Sequence, residues 1–382
     1  MKFIEDFNLK GKRVLVRCDF NVPLDEKGNI LDDFRIEKAI PTIEYLIKKG
    51  AKVILMSHLG RPEGKFKKEL SLSPVQEKLL EYLDISVTKA KDCIGKEIEK
   101  WTEKMQAGEV LLLENLRFHK EEELGDLDFA RELAKLGDIF INDAFSVSHR
   151  KHSSIIGLPK FLPSGIGFLF KKELEALSKI LEKPKRPLVG IIGGAKTTKI
   201  KPIKSFLKNV DFLILGGKIA NIILRVKGII VGKPLPEPTI IREIEEIELT
   251  NPKLKVPLDV VVVLNSVYTR TAGPASIRKE EEVLDIGPET VRFFSQIITK
   301  AGTIFWSGPL GKIEKKQFAR GSLGIARAIA KSNAFSVAGG RETVSFLREY
   351  KLADKFSHLS TAGSAMLEYL SKGTLPGIEV LR

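Results

Sequence analysis

The chain has 382 residues, 43% hydrophobic and 29% charged, and its 63 Lys and Arg against 49 Asp and Glu give a net charge of +14. That length exceeds one ordinary core and points to two domains. No apolar run reaches membrane-spanning length, the charged start MKFIEDFNLKGKRVLV has no apolar leader stretch, and Cys18 and Cys93 form neither a disulfide framework nor a zinc spacing; the expectation is a soluble cytoplasmic protein with no membrane partner.

Apolar runs and helical stretches alternate along the first half, with strands near 13–19 and 52–57 and helices near 35–49 and 73–83. Further strands near 110–114 and 138–142 flank the helical EEELGDLDFARELAKLG. Phe170 to Lys183 places Leu174, Leu177, Ile180 and Leu181 at helical spacing before PKRP stops it, which reads as an interdomain helix. The second half repeats the pattern, with strands near 188–192, 211–215, 258–263, 303–306 and 334–338. Such βα alternation predicts an α/β fold of two doubly wound parallel sheets. The expected division is 1–168, an interdomain helix and hinge over 169–187, 188–356, and a C-terminal segment over 357–382.

The positive charge invites a nucleic-acid reading. Lysines alternate with glutamates along helix faces such as KKELEALSKILEK and IREIEEIELTNPK, however, and no aromatic-interleaved basic patch occurs, so no nucleic-acid partner is expected. A charged fraction of 29% also suits a heat-adapted chain.

Chemistry is concentrated where apolar runs end. In the first half Asp19, Asn21, His58, Arg61, Arg117, His149 and Arg150 follow such runs, and Arg35 opens a helical stretch. Ligands of open α/β sheets bind at the carboxyl ends of strands, and arginine forks match phosphate and carboxylate oxygens, so a small, highly anionic substrate is implied. In the second half glycines take those places: Gly193-Gly194-Ala195-Lys196, Gly216-Gly217, Ser307-Gly308-Pro309-Leu310-Gly311 and Gly339-Gly340, with Thr361-Ala362-Gly363-Ser364 near the end. Glycine lets backbone N–H groups approach phosphates, and a following helix start favours negative charge. Walker, Rossmann, protein-kinase and nucleophile-elbow signatures are all missing from the sequence. An arginine-rich anion site and glycine-rich phosphate loops in one chain suit transfer between two phosphorylated molecules.

In collinear order, RCDFNVP (17–23), FRIEKAIPTI (34–43), SHLGRPEG (57–64), LLENLRF (112–118), NDAFSVSHRKHSS (142–154), GGAK (193–196), LDIGPET (284–290), WSGPLGKIE (306–314), GGRET (339–343), HLSTAG (358–363) and LPG (375–377) resemble the phosphoglycerate kinase family over essentially the whole length. The resemblance implies reversible transfer of the acyl phosphate of 1,3-bisphosphoglycerate to Mg-ADP, giving 3-phosphoglycerate and Mg-ATP in glycolysis and gluconeogenesis. It also implies a monomer of two domains joined by a helix, an active-site cleft between them, and final residues returning to the first domain.

By the same resemblance Asp19, Asn21, Arg35, His58, Arg61, Arg117 and Arg150 hold the acidic triose, with Arg35 also facing the transferring phosphoryl group. Lys196, Lys199, Gly340 and Gly363 complete the implied catalytic set. Lys199, Gly217, Val283, Glu314, Gly339, Gly340, Arg341, Glu342 and Thr343 form the implied nucleotide set, with Glu314 on the ribose and Glu342 as ligand of Mg²⁺. Departures cluster on the nucleotide side. The turn after GGAK is one residue shorter before its second lysine, Ser307 replaces the usual Asn, Lys218 follows the Gly216-Gly217 pair, Val283 and Arg341 stand at usual glycines, and Ala362 and Ser364 interrupt a glycine triplet. The alternative reading is a phosphoglycerate-binding pseudoenzyme with an impaired nucleotide site. Glu114 and Asp143 read as orienting or capping residues, and His119, His149, His152 and His358 as structural.

Overall fold

The structure, a computed structural model, describes residues 1–229, 237–264 and 268–382. Contacts divide it into two units, Met1–Glu175 with Thr374–Arg382, and Ala176–Gly373.

The first unit is built on β1 (Arg13–Arg17), β2 (Lys52–Met56), β3 (Val87–Lys89), β4 (Val110–Leu112), β5 (Ile139–Asn142) and β6 (Ser164–Ile166). They form one sheet in the order β3-β4-β2-β1-β5-β6, and every pair is parallel. Alternate side chains of a strand point to opposite faces, and here both faces are buried. Val14, Val16, Val53, Leu55, Val110, Leu112, Ile139 and Ile141 join one core. Their neighbours Leu15, Ile54, Met56, Leu111 and Phe140 join a second. Continuous apolar runs are therefore the sequence form of a sheet sandwiched by helices.

The second unit holds β7 (Leu188–Ile192), β8 (Phe212–Leu215), β9 (Leu254–Lys255), β10 (Val260–Leu264), β11 (Tyr268–Ala272), β12 (Glu282–Ile286), β13 (Thr303–Ser307), β14 (Phe335–Gly339) and β15 (His358–Ser360). Six of these make a parallel sheet, β15-β14-β13-β7-β8-β9, and three an antiparallel one, β11-β10-β12. Two doubly wound parallel sheets are thus present as expected. The strand expected near 258–263 belongs instead to the antiparallel sheet, because β10 pairs along both edges with antiparallel neighbours and packs on its own small core with Leu224 and Ile277.

Two further expectations need correction. The helical stretch 121–137 is two helices, Lys120–Leu124 and Leu127–Ala134. Gly125 ends the first in the left-handed region at φ +71°, and Asp126 caps the second by accepting from Phe129 N at 2.8 Å. Residues 374–382 group with the first unit, whereas 357–373 group with the second, since β15 pairs in parallel with β14. The helix expected at 170–183 is present as Phe168–Glu182 and contains the boundary between the units.

Gly190, in the middle of β7, sits where the second sheet is closely packed. A Cβ there would lie 2.5 Å from Phe305 Cζ and 2.9 Å from Leu213 Cδ1. Gly190→Ala should therefore cost about 1–3 kcal/mol through overpacking. Urea unfolding checks this, and an unchanged midpoint would show that the Phe305 ring yields without cost.

Candidate functional site

In the first unit, β4, β2, β1 and β5 are neighbours. The chain leaves β1 to one side and returns for β5 on the other, so the strand order reverses at the point where such sheets bind ligands. Asp19 and Asn21 follow β1, His58 and Arg61 follow β2, Arg117 follows β4 and Arg150 follows β5. Arg35 enters from the first turn of helix Phe34–Lys48.

Contacts knit Asp19, Asn21, Arg35, His58 and Arg117 into one cluster. Arg35 Nη1 lies 2.8 Å from Asp19 Oδ2 and donates to the Asn21 carbonyl at 3.2 Å. Asn21 Oδ1 accepts from Gly60 N at 2.9 Å, and Arg117 Nη1 donates to the Gly60 carbonyl at 2.8 Å. Ser146 donates to Asp19, and Asp19 Oδ1 accepts from Asn21 N at 3.1 Å. Arg117 is buried, with Nε 3.3 Å from Glu123 Oε1. Burial first, then the nearby Arg150 and Arg17 against the opposing Glu123, lower its pKa to about 10. His58 is pushed well below its ordinary value by burial and by Arg117, Arg17 and Arg35, so its ring is neutral at pH 7. His152, held down to about 3 by burial and by Arg117, Arg17 and Arg150, is neutral as well. Arg61 is exposed beside Gly60, and Arg150 is half-buried.

Three residues of this cluster were missed from sequence. Arg17, 0% exposed, donates through Nε to Ser154 Oγ at 2.8 Å, and Glu122, also 0% exposed, accepts from Ser154 Oγ at 2.6 Å. A charge ending the apolar run RVLVR was the available signal for Arg17; Glu122 was hidden in an acidic run that reads as a solvated helix face. Glu114 orients neighbours as expected, accepting from Ser71 Oγ, Leu72 N and Lys89 Nζ at 2.7–2.9 Å. Asp143 caps helix Phe168–Glu182 by accepting from Phe170 N at 3.0 Å.

In the second unit the glycine turns follow β7, β8, β13 and β14, again at carboxyl ends. Gly217, Val283, Glu314 and Glu342 line one cavity of about 660 Å³, together with Lys218 and Lys312, which sequence reading had not assigned to it. Gly340 precedes helix Arg341–Glu349 at φ +99°, and a Cβ on Gly363 would lie 3.0 Å from Gly340 Cα, so these two loops need glycine to pass. Thr343 Oγ1 accepts from Gly308 N at 2.9 Å and ties this helix to the loop after β13. Gly339 ends β14, Arg341 is exposed, and Lys196 is exposed. Lys199 is 8% exposed and donates to the carbonyls of Gly193 and Ser307, each at 3.1 Å. Burial lowers its pKa to about 8, opposed by Glu342 and aided by Lys196. Trp306 packs at 0% exposure with its indole donating to the Gly308 carbonyl.

Arginines gathered on one parallel sheet, with glycine turns and lysines round a cavity on another, define a two-unit α/β phosphotransferase. The model of the family described as "Phosphoglycerate kinase" matches residues 4–373. The phosphoglycerate kinases of Pelotomaculum thermopropionicum and Moorella thermoacetica are 44% and 45% identical to this chain, over 100% and 99% of it and 98% of each relative. Solved phosphoglycerate kinase structures from Coxiella burnetii (37% identity, TM-score 0.80) and Pyrococcus horikoshii (31%, 0.90) cover 100% of the chain and are themselves 98% covered. The chain belongs to the phosphoglycerate kinase family, kinases that transfer phosphate to a carboxyl acceptor with ADP and ATP as substrates. Nothing in these matches supports the pseudoenzyme alternative.

Asp285, on the cavity wall, accepts from Gly321 N at 2.8 Å and Ile286 N at 2.9 Å, yet burial raises its pKa to about 7. Between pH 4 and 7 the folded state thus holds a proton that the unfolded chain has released, and stability falls as pH rises. Relative to Asp285→Asn, the wild-type melting temperature should rise on acidification from pH 7 to 5; parallel profiles would show that Asp285 is ionised throughout.

Proposed function

We propose that the first unit binds the triose acid through Asp19, Asn21, Arg35, His58, Arg61, Arg117 and Arg150, and that the second holds the nucleotide on Lys199, Gly217, Val283, Glu314, Gly339, Gly340, Arg341, Glu342 and Thr343. The observation that carries this reading is the gathering of cations at the ends of four neighbouring strands, β4, β2, β1 and β5. In the direction of ATP formation, the bond from phosphorus to the acyl oxygen of 1,3-bisphosphoglycerate breaks and one to a terminal oxygen of ADP forms. In reverse the acceptor is a carboxylate already ionised at pH 7, so no general base is required. Arg35, Lys196 and Lys199, with the backbone at Gly340 and Gly363, stabilise the charge spread over the phosphoryl oxygens in transit. Glu342 is an exposed carboxylate on the cavity wall, the hard oxygen donor that Mg²⁺ accepts alongside phosphate oxygens and water. Mg²⁺ held there would offset nucleotide charge. A cytoplasmic monomer fits this reading, since each unit has its own core.

A coupled assay with 3-phosphoglycerate and ATP, with and without Mg²⁺, tests the reading; metal-independent turnover would remove Glu342 from it. Arg35→Ala should lower kcat by roughly two orders of magnitude or more, as loss of a preorganised transition-state charge does. An unchanged kcat overturns that role. Because Lys199 loses its proton near pH 8, Mg-ADP affinity measured by calorimetry should fall as pH rises from 7 to 9.5. Flat affinity would take Lys199 off the phosphates.

A further inference from the structure

Beneath the arginines of the first unit lies a relay that starts at one buried carboxylate. Glu122 Oε2 accepts from Ser154 N at 2.9 Å, and Oε1 accepts from Ser154 Oγ at 2.6 Å. With its hydrogen committed to Glu122, the Ser154 hydroxyl receives Arg17 Nε–H on a lone pair at 2.8 Å. Arg17 Nη2 also lies 3.8 Å from Glu122 Oε1. The guanidinium is oriented from both ends, since Nη1 donates to the Cys18 carbonyl. That orientation leaves Nη2 3.4 Å from His58 Nδ1.

A guanidinium has hydrogens and no lone pair, so Nδ1 meets it as an acceptor. The opposite tautomer would set N–H against N–H. Asp19 Oδ1, an acceptor that would favour that tautomer, is 3.9 Å from Nδ1, beyond hydrogen-bond reach. Asp19 is already engaged by Arg35, Ser146 and Asn21 N. A neutral ring with a bare Nδ1 carries its hydrogen on Nε2.

We propose that Glu122 is a positioning residue for triose binding: through Ser154 and Arg17 it holds His58 as the Nε2–H tautomer, a neutral donor for an anionic substrate oxygen. This rests on the reading that His58 binds the triose acid. The relay also accounts for a buried carboxylate among cations that attract the same substrate. Without Glu122, the Ser154 end of this hold is lost and Arg17 keeps only its bond to the Cys18 carbonyl, so the ring loses a fixed neighbour that selects its tautomer.

The test is ¹⁵N-histidine NMR and steady-state kinetics of the full chain, with His58→Gln assigning the His58 signals. Wild type should show protonated Nε2 and bare Nδ1, and Glu122→Gln a loss of that pattern. KM for 3-phosphoglycerate should rise about tenfold in Glu122→Gln, the loss typical of a hydrogen bond to a charged group, with KM for Mg-ATP unchanged. Ser154→Ala, which removes only the relay hydroxyl, should raise the same KM by a smaller factor, and it decides the matter alone if Glu122→Gln does not fold. A merely structural role would lower melting temperature and active fraction without moving KM or the ring signals. Wild-type His58 with hydrogen on Nδ1, or unchanged KM and tautomer in both variants, overturns the inference while leaving the triose site standing. Unaltered 3-phosphoglycerate binding in His58→Gln would instead remove His58 from the site, and the inference with it.

Discussion

Arginines crowded onto one sheet edge repel each other, and repulsion grows as the site sheds water. The first unit is organised round the carboxylates that make this arrangement stable. Asp19 pairs with Arg35 at 2.8 Å, Glu123 lies 3.3 Å from Arg117, and Glu122 sits within 3.8 Å of Arg17. Each of these acids is fewer atoms from the backbone than the arginine it faces, so it anchors the charge while the guanidinium keeps donors for a ligand. Net positive charge is left over, which in the proposed reading an anionic triose would offset. The histidines fit the same logic. Cationic neighbours and burial keep His58 and His152 neutral, so they add directional hydrogen bonds without further repulsion.

The second unit is built differently, with glycine turns rather than arginines at its strand ends, so that in the proposed reading backbone would reach the phosphates. Its turns follow β7, β8, β13 and β14, and their closeness shows in what a single added carbon would meet: at Gly363 the Gly340 Cα, 3.0 Å away. Three of the departures from the family pattern, Lys218, Val283 and Arg341, fall outside these contacts. Lys218 and Arg341 are exposed on the first turns of two helices, and Val283 is half-buried on the cavity wall. Bulk at these places adds charge or apolar surface to the rim without entering the narrow crossings.

Much of this was legible in the sequence because both parallel sheets are buried on two faces, which turns each strand into a continuous apolar run and each strand end into an abrupt change of composition. Runs such as KVILM and VLVR announce themselves, as do the Asp, His and Arg that follow them. The antiparallel strand β10 looks the same, since VVVVL carries no mark of its partners' direction. β11, as YTRTA with an exposed Tyr268, has no apolar run at all. Glu122 was illegible for the converse reason. Burial of a charge is decided by partners remote in sequence, here Ser154 and Arg17, and not by its acidic neighbours.

The shortened lysine turn shows how a departure can be absorbed. With two residues between Lys196 and Lys199, the turn closes as a tight 3-10 segment at Thr197–Lys199 and carries Lys199 inward. Its ammonium then bonds the carbonyls of Gly193 and Ser307, which follow or end the adjacent strands β7 and β13. An ammonium has three hydrogens, so one remains beyond these two carbonyls. Lys199 thus clamps the turns after β7 and β13 and stands as a fixed point charge, with burial bringing its pKa near 8. Lys196, exposed at the mouth of the same turn, makes no such bonds among the described residues. In the proposed reaction both ammonium groups would meet phosphoryl oxygens, Lys199 from a position fixed by the Gly193 and Ser307 carbonyls and Lys196 from an exposed one.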